Sequence, residues 1–329
     1  MQRLGTAEYA FQLCLRGDGR IVGTVTDGDI RRAILAGAKL EDPVGFWVKT
    51  CPIVGRVGDD SGNARALGNV RSNVRFLPVA DADDRIVEVL VLQRAPERAP
   101  VALVMAGGRG QRLGERTRDV PKPLVVVRGK PILEHVLARL EAAGTKEAYV
   151  AAHYLADQID RFCETREGML RLHLLREDDR LGTAGAVSLL PASVEGDVLV
   201  INGDVMSEID LRALADFHDD QDNDASLAAA HYEIQIPYGV VRADADGRFE
   251  SIEEKPRVRR FVAAGIYLLG PRIRALAPPG QPIDMPELFN LGREANLRIG
   301  VFPIHEYWRD IGRPDDLAAA ESEILERGT

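Results

Sequence analysis

Hydrophobic and polar residues follow two alternating patterns after residue 100. Short apolar runs predict buried strands, whereas apolar positions three and four residues apart predict helices that pack by one face. The predicted strands cover residues 101–106, 147–151, 170–175 and 198–202, and the predicted helices cover residues 131–143, 155–163 and 183–190. This alternation predicts an α/β fold with a doubly wound, Rossmann-like sheet that binds ligands at the carboxyl ends of its strands.

The first hundred residues show a different pattern. Residues 20–34 predict a strand, a turn and a helix capped by Asp29, and a predicted strand pair follows further along. A polar segment with two prolines comes next and predicts a linker at residues 95–100. We therefore expect a small α+β unit over residues 1–94 and a larger α/β domain over residues 101–329.

The composition is typical of a globular protein, with 45% hydrophobic and 28% charged residues and a formal net charge of −9. No apolar run approaches the roughly eighteen residues of a membrane span, so we expect a cytoplasmic protein with no membrane partner. Net acidity argues against nucleic acid as a partner, because nucleic-acid binding relies on a basic face. Cys14, Cys51 and Cys163 lack metal-ligand spacing and are expected to be reduced thiols.

A glycine-rich loop follows the first strand of the larger domain. Between residues 109 and 122 the sequence has five cationic and two acidic residues, a local charge of 5 − 2 = +3 in an acidic protein. In such a loop, backbone N–H groups and guanidinium groups close on phosphate without side-chain obstruction. The loop therefore predicts a triphosphate site, although its spacing is neither that of a P-loop nor that of a dinucleotide fingerprint.

The order of residues in this loop carries a family resemblance. Gly-Gly-x-Gly-x-Arg-Leu from Gly107, followed by Pro121-Lys122-Pro123, resembles the signature of the sugar-1-phosphate nucleotidyltransferases, which join a nucleoside triphosphate to a sugar 1-phosphate and release pyrophosphate. The resemblance implies that Arg112 stabilises the leaving pyrophosphate and that Lys122 reaches the phosphates at the reaction centre. An exposed loop lysine is the alternative for Lys122. No covalent intermediate is required, so no nucleophilic side chain is expected.

Two aspartates resemble the metal-binding motifs of this family. Asp204 ends an Asn-Gly-Asp turn after a predicted strand, and Asp310 belongs to a Trp-x-Asp-x-Gly-x-Pro segment. The alternatives are a turn-capping role for Asp204 and, for Asp310, a place before a helix that Pro314 begins. Two carboxylates together with phosphate oxygens suit a hard divalent ion, so the resemblance implies Mg²⁺ as the cofactor.

The resemblance also implies contacts for the nucleotide and the sugar. The nucleotide-binding residues would be Leu103, Ala106, Gly107, Gly108, Arg109, Gly110, Glu177, Gly182 and Thr183, and the sugar-phosphate-binding residues would be Gly239, Glu254, Lys255 and Gly265. The turn after Glu177 resembles the guanylyltransferase branch more than the uridylyl or thymidylyl branches. A solvated salt bridge is the alternative for Glu254 and Lys255. Arg180 and Ala263 depart from the family's common proline and asparagine, which leaves the sugar open.

In the first unit, Thr26 and Asp29 resemble the Thr-x-x-Asp turn with which cystathionine-β-synthase-type (CBS) modules hold ribose and phosphate. A weaker second copy runs from about residue 48 to residue 92 and lacks this turn. The resemblance implies a CBS pair, truncated in its first module and degenerate in its second, through which chains form a homo-oligomer. The alternative is that Thr26 and Asp29 only cap the helix that follows.

Together these features predict Mg²⁺-dependent transfer of a nucleotidyl group, above all guanylyl from GTP, to a hexose or hexosamine 1-phosphate for surface polysaccharides. A uridylyl or thymidylyl donor is an alternative, and so is a phospho-alcohol acceptor. A further alternative is a nucleotide-sensing regulator with an inactive transferase domain. The presence of Arg112, Lys122, Asp204 and Asp310 argues against such a regulator.

Overall fold

A computed structural model describes residues 11–39, 42–69, 74–93 and 99–323. Part of the predicted linker, residues 95–98, lies outside the described residues. Within the described ranges, no helix is long and apolar enough to cross a bilayer.

The described residues of the N-terminal unit form two small sheets and two α-helices. Its strands are β1 (Phe11–Leu15), β2 (Ile21–Thr26), β3 (Gly55–Arg56), β4 (Val74–Ala80) and β5 (Ile86–Gln93), and its helices are α1 (Asp27–Leu35) and α2 (Asp60–Gly68), with a 3₁₀ turn at Val44–Phe46. β1 pairs antiparallel with β2, while β4 pairs parallel with β3 and antiparallel with β5. A small core of Val25, Ile30, Ile34 and Trp47 holds α1 on the first hairpin. The predicted strand pair is confirmed as β4 and β5.

The larger domain is built on a seven-stranded sheet flanked by helices. Its strands are β6 (Val101–Met105), β7 (Val126–Val127), β8 (Lys130–Pro131), β9 (Glu147–Ala152), β10 (Arg171–Arg176), β11 (Val198–Asn202), β12 (Val205–Ser207), β13 (Ala225–Gln235), β14 (Val240–Ala243), β15 (Phe249–Glu253), β16 (Arg257–Leu269), β17 (Ile299–Ile304) and β18 (Trp308–Asp310). Its helices are α3 (Ile132–Ala143), α4 (Ala156–Thr165), α5 (Gly182–Gly185), α6 (Leu211–Asp220), α7 (Pro271–Arg274), α8 (Met285–Glu294) and α9 (Pro314–Glu323), with 3₁₀ segments at Gln111–Thr117, Lys122–Leu124 and Ala186–Leu189.

The central sheet is mixed. Its strand order is β10-β9-β6-β11-β16-β13-β17. The first four strands are parallel to one another, as the alternating sequence pattern predicts. β16, however, runs antiparallel to both β11 and β13. β17 is parallel to β13, so β16 alone runs opposite to the other six strands of the sheet. The α/β prediction is therefore confirmed, and the sheet is mixed because of this one reversed strand.

Apolar side chains cover both faces of this sheet. Successive residues of a strand point to opposite faces, so Leu199 of β11 joins the cluster beneath α3, and Val200 joins the cluster on the other face. Leu137 and Leu140 of α3 are completely buried in the first cluster. Burial on both sides makes the sheet a rigid base for the loops at its edges.

The helix predicted over residues 183–190 is wrong in length. The structure has the single turn α5 there, followed by a 3₁₀ segment. The backbone N–H of Ala184 donates to the carbonyl of Ile283, and the N–H of Ile283 donates to the carbonyl of Leu181. These bonds to a neighbouring segment replace the bonds that a regular helix would make within itself.

The cap of α1 also differs from the prediction, because the N-cap residue is Thr26 rather than Asp29. The Thr26 hydroxyl accepts a hydrogen bond of 3.1 Å from the Asp29 N–H, and the Asp29 carboxylate accepts one of 2.9 Å from the Thr26 N–H. This reciprocal pair is a capping box. Both side chains are therefore engaged in the helix cap, and a ligand-binding role for them stays a prediction.

We predict that Thr26→Ala lowers the free energy of unfolding by about 1 kcal/mol, because it leaves the N–H of Asp29 without its acceptor. Thr26→Ser is the matched control, since it keeps the hydroxyl and loses only the methyl group. Urea titration followed by circular dichroism measures both variants. Equal stabilities of the two variants would contradict the cap's contribution.

Candidate functional site

The loops that leave β6 and β11 meet in one cleft. The two strands are parallel neighbours, Met105 pairs with Asn202, and the N–H of Gly203 donates a hydrogen bond of 2.9 Å to the Met105 carbonyl. The cleft has a volume of about 440 Å³. The predicted site residues that line it are Gly107, Gly108, Arg109, Gly110, Arg112, Lys122, Glu177, Gly182, Thr183 and Asp204. The structure thus brings most of the predicted nucleotide-binding residues together.

Gly110 gives the glycine-rich loop its shape. Its φ of +62° lies in the left-handed region that favours glycine, and a Cβ there would stand 2.9 Å from the Lys122 Cβ. The Thr117 hydroxyl donates to the Gly110 carbonyl at 2.9 Å and closes the loop on itself. The loop backbone can therefore approach a bound group closely, with Lys122 directly behind it.

Lys122 lies between the two predicted metal ligands. It begins a 3₁₀ turn after Pro121, and its side chain is only 12% exposed. The ammonium group forms an ion pair with the carboxylate of Asp204, and its Nζ is 3.7 Å from Oδ1 of Asp310. The structure thus joins three residues that the sequence analysis assigned to the chemistry.

A two-stranded ribbon explains how Asp204 and Asp310 become neighbours although they are far apart in sequence. β12 and β18 are antiparallel, with Val205 opposite Asp310. The N–H of Ile311 donates a hydrogen bond of 3.0 Å to the Asp204 carbonyl, and Trp308 Nε1 donates one of 2.8 Å to the Ala264 carbonyl. The ribbon is therefore tied to β16 of the central sheet, which fixes both carboxylates relative to the cleft.

The environment of Asp310 favours a bound cation. Burial and the negative charge of Asp204 raise the pKa of Asp310, while Lys122 and Arg112 oppose this shift. Within the described ranges, no group of three or more His, Cys, Asp or Glu side chains is arranged to hold a metal. Two carboxylates nevertheless suit Mg²⁺, which commonly takes its remaining ligands from water and from substrate phosphates. The donor set therefore fits a metal that binds together with a phosphorylated ligand.

Glu177 lies at the edge of the cleft and is 8% exposed. Burial raises the pKa of its carboxyl group, although the hydrogen bond from the Leu181 N–H at 3.3 Å and the nearby His153 and Arg180 act in the opposite direction. Its other carboxylate oxygen lies 3.4 Å from the place of a Cβ on Gly107. A carboxylate beside a loop glycine can accept hydrogen bonds from the N–H groups of a ring that enters the cleft.

The turn at Gly182 and Thr183 is held by Asp284, a residue that the sequence analysis missed. The Thr183 N–H donates to Asp284 Oδ1 at 2.9 Å, and the Thr183 hydroxyl accepts from the Met285 N–H at 2.8 Å. Gly182 has a φ of +77°, and a Cβ there would stand 2.6 Å from the Ile283 carbonyl oxygen. Asp284 directly precedes a helix that has proline in its first turn. This helix-start pattern was the sequence signal that could have identified Asp284.

Leu103 and Ala106 are fully buried, at 0% exposure, and neither lines the cleft. Leu103 packs in the cluster on one face of the sheet and Ala106 in the cluster on the other. The structure therefore places them beneath the cleft, where Met105 and Gly107 form the surface instead.

The predicted sugar-binding residues divide into two groups. Glu254 and Lys255 are exposed, between β15 and β16, and do not line the cleft. Gly239 lies next to Glu254, since a Cβ on Gly239 would stand 3.0 Å from Glu254 Oε2. Gly265 is in β16 with a φ of +71°, and a Cβ there would stand 2.7 Å from Asn202 Nδ2. Only Gly265 therefore adjoins a residue of the cleft.

Asn202 is a second residue that the sequence analysis left without a role. It lines the cleft, and its Oδ1 is buried with no hydrogen-bond partner among the described residues. A buried polar atom without a partner is uncommon, and in a cleft it can receive a donor from a ligand. Its position directly before Gly203 and Asp204, at the end of a buried strand, was the signal that could have identified it.

Comparison with protein families gives a match over most of the larger domain. The model of the family described as Nucleotidyl transferase matches residues 101–327. The mannose-1-phosphate guanylyltransferase catalytic subunit beta of Drosophila pseudoobscura pseudoobscura is 33% identical over 223 residues, which are 65% of this chain and 60% of that protein. The mannose-1-phosphate guanylyltransferase of Mycobacterium tuberculosis is 28% identical over 232 residues, 68% of this chain and 64% of that protein. The chain thus spans less than two thirds of the length of these relatives.

Solved structures show the same fold. The crystal structure of HddC from Yersinia pseudotuberculosis, complexed with GMP-PN, has a TM-score of 0.54 and 26% identity, and the match covers 68% of this chain and 99% of HddC. A putative glucose-1-phosphate thymidylyltransferase from Bacillus anthracis, in complex with a sucrose, has a TM-score of 0.55 and 21% identity over 70% of this chain and 96% of that chain. The second likeness concerns the fold alone.

Proposed function

The chain belongs to the nucleotidyl transferase family, and from this premise we propose that it transfers a nucleotidyl group from a nucleoside triphosphate to a sugar 1-phosphate. The observation that carries the proposal is the cleft at the ends of β6 and β11. There a glycine-rich loop, Arg112 and Lys122 lie together with Asp204, and Asp310, which is not itself a lining residue, lies 3.7 Å from Lys122 Nζ. This arrangement supplies hydrogen-bond donors and charges for a chain of phosphates.

The reaction is a single in-line displacement. An oxygen of the sugar 1-phosphate forms a bond to the α-phosphorus, and the bond from that phosphorus to the bridging oxygen of pyrophosphate breaks. Arg112, with its two-pronged guanidinium group, holds oxygens of the leaving pyrophosphate, and Lys122 holds oxygens at the α-phosphorus. The loop from Gly107 to Gly110 aligns the triphosphate through its backbone. Alignment and charge stabilisation supply the catalysis.

The proposal includes Mg²⁺ as the cofactor, held by Asp204 and Asp310. When bound, the ion would neutralise charge on the phosphate oxygens of the substrates. In the structure Lys122 already supplies positive charge between these two carboxylates. The negative charges of the two aspartates thus favour a cation between them. When bound phosphates attract Lys122 away from the aspartates, the same negative charges favour a divalent ion in its place.

GTP is the donor that we propose, because two independent observations favour it. The relatives that match the chain at about 30% identity are named mannose-1-phosphate guanylyltransferases, and HddC was crystallised with GMP-PN. Glu177 places a carboxylate at the cleft edge. Guanine has adjacent N–H donors, from which a carboxylate can accept two hydrogen bonds. Uracil and thymine offer one such donor, so a uridylyl or thymidylyl donor is the second candidate.

The acceptor in this proposal is a hexose or hexosamine 1-phosphate, with mannose 1-phosphate as the first choice because of the names of the relatives. Gly239 and Glu254 adjoin one another and would contact sugar hydroxyls, while Lys255 would bind the sugar phosphate. The product would be a nucleotide-activated sugar for surface polysaccharides.

We also propose that the N-terminal unit is a CBS-type pair through which chains form a homo-oligomer. Support comes from its exposed apolar side chains. Val44, Ile53, Val57 and Val87 are each more than 50% exposed, although the unit itself is small. We propose that a second copy of the chain covers these side chains.

A pyrophosphate-release screen tests the proposed activity. GTP, ATP, UTP and dTTP are each combined with mannose, glucose and glucosamine 1-phosphates in the presence of Mg²⁺. We expect kcat/KM to be highest with GTP, by at least about tenfold, the discrimination that a well-formed hydrogen-bond pair gives. A preference for UTP or dTTP would contradict GTP as the donor and identify a uridylyl- or thymidylyltransferase. No release in any combination would contradict the transferase activity and favour a nucleotide-sensing role.

Asp204→Asn and Asp310→Asn should each lower turnover by at least about a hundredfold, because each variant removes a charged metal ligand. Asp315→Asn, an exposed aspartate in the neighbouring helix α9, is the control and should behave as wild type. Steady-state rates over a range of Mg²⁺ concentrations measure the effect. Near-normal turnover of either variant at saturating Mg²⁺ would remove that aspartate from the metal site.

Lys122→Ala and Arg112→Ala should lower kcat by roughly a hundredfold, since each cation acts on oxygens whose charge grows in the transition state. Arg116→Ala is the matched control, because Arg116 is an exposed cation in the same 3₁₀ segment. A change confined to KM would show that Lys122 and Arg112 bind substrate without stabilising the transition state.

A further inference from the structure

One buried arginine connects the N-terminal unit to the transferase domain. Arg31 of α1 is 3% exposed, although it lies outside the residues that match the family. Its Nη1 donates a hydrogen bond of 2.6 Å to the Pro303 carbonyl, and its Nη2 forms an ion pair of 2.7 Å with Glu306. The guanidinium carbon lies 3.8 Å from the centre of the Phe302 ring. Most of the donors of this side chain are therefore satisfied by the other domain.

A further donor of Arg31, Nε, completes a closed network. Its Nε pairs with Asp27 at 2.6 Å in the first turn of the same helix, and Asp27 also lies 3.1 Å from Nε2 of His305. Burial alone would raise the pKa values of Asp27 and Glu306. The hydrogen bond with His305 and the charge of Arg31 nevertheless hold the pKa of Asp27 below its usual range, and the hydrogen bond and charge of Arg31 do the same for Glu306. Both carboxylates therefore stay ionised, and the network keeps its charges at neutral pH.

Glu306 stands at the entry to the ribbon that carries Asp310. Three residues separate Glu306 from Asp310, and two of them belong to β18. Tyr307, the next residue, accepts hydrogen bonds of 2.8 Å from the Glu208 N–H and 3.2 Å from the Ser207 hydroxyl through its carbonyl. From there β18 pairs with β12 up to Asp310. The path from Arg31 to the candidate metal ligand thus consists of the contact with Glu306, a short length of backbone and the hydrogen-bonded β12–β18 ribbon.

We propose that Arg31 is a positioning residue for the transfer reaction: by fixing residues 303–306 from the N-terminal unit, it holds β18 and thereby Asp310 in place for the cation. This inference rests on the proposed function, because it concerns the metal dependence of that reaction. It gives the N-terminal unit a part in catalysis that does not require a bound effector. A shift of about 1 Å in a group that positions reactants costs up to roughly a hundredfold in rate.

The test uses the full chain with Arg31→Met, which keeps the length of the side chain and removes its charge and donors. Glu306→Gln removes the partner's charge and provides a second variant. Arg32→Met is the matched control, since Arg32 is the next residue of the same helix, its side chain is 66% exposed and it pairs with Asp29 of its own unit. Thermal melting shows which variants fold.

Three measurements are made on each folded variant: the Mg²⁺ concentration for half-maximal rate, kcat, and amide hydrogen exchange of residues 304–310. For Arg31→Met and Glu306→Gln we expect faster exchange in this segment, a half-saturating Mg²⁺ concentration raised by roughly tenfold, and a kcat that high Mg²⁺ largely restores. Arg32→Met should match wild type. Global destabilisation alone would lower the rate without moving the Mg²⁺ dependence.

Two outcomes overturn the positioning role, and they differ from failure of the proposed function. If wild type transfers nucleotide but Arg31→Met shows the exchange and Mg²⁺ dependence of Arg32→Met, Arg31 does not position Asp310. The same conclusion follows if the rate falls and added Mg²⁺ restores none of it. If Arg31→Met fails to fold, Glu306→Gln decides by the same criteria. A wild-type chain inactive with every substrate pair overturns the proposed function and this role with it.

Discussion

The site depends on keeping two carboxylates close together around the side chain of Lys122. Asp204 and Asp310 repel one another, and burial adds to the cost of their charges, so positive charge must lie between them. Lys122 supplies it in the structure. This single electrostatic constraint links the glycine-rich loop, which packs against Lys122, to the strands that carry the aspartates. It also explains why the same place suits a divalent ion in the proposed reaction.

The backbone meets this constraint with two arrangements of strands. Parallel pairing of β6 with β11 puts the glycine-rich loop beside the turn that ends in Asp204. The β12–β18 ribbon then returns the chain, after most of the larger domain, to place Asp310 alongside. Two residues before β18, Glu306 contacts the buried Arg31 of the N-terminal unit. Three distant parts of the sequence, namely the glycine-rich loop, the β12–β18 ribbon and helix α1, thus contribute to the placement of one pair of carboxylates.

Local patterns predicted part of this structure well. The four parallel strands and helix α3 follow from apolar periodicity and end signals such as Gly144, and the cleft residues follow from ordered motifs around Lys122 and Asp204. The antiparallel β16 was not predictable in this way, because strand direction depends on pairing across the sheet rather than on local pattern. The contacts of Arg31 were hidden for the same reason, since an arginine on a short helix is usually solvated and its partners lie 272 and 275 positions away.

The central claim is that a cation between Asp204 and Asp310 acts together with Lys122 on a bound triphosphate. A crystal structure of the full chain with Mg²⁺ and a non-hydrolysable GTP analogue tests it most directly. We expect Mg²⁺ to be bound by both aspartates and by phosphate oxygens, with Lys122 Nζ moved from Asp204 to an oxygen of the α-phosphate. A metal bound elsewhere, or Lys122 still paired with Asp204 beside an ordered triphosphate, would contradict the claim.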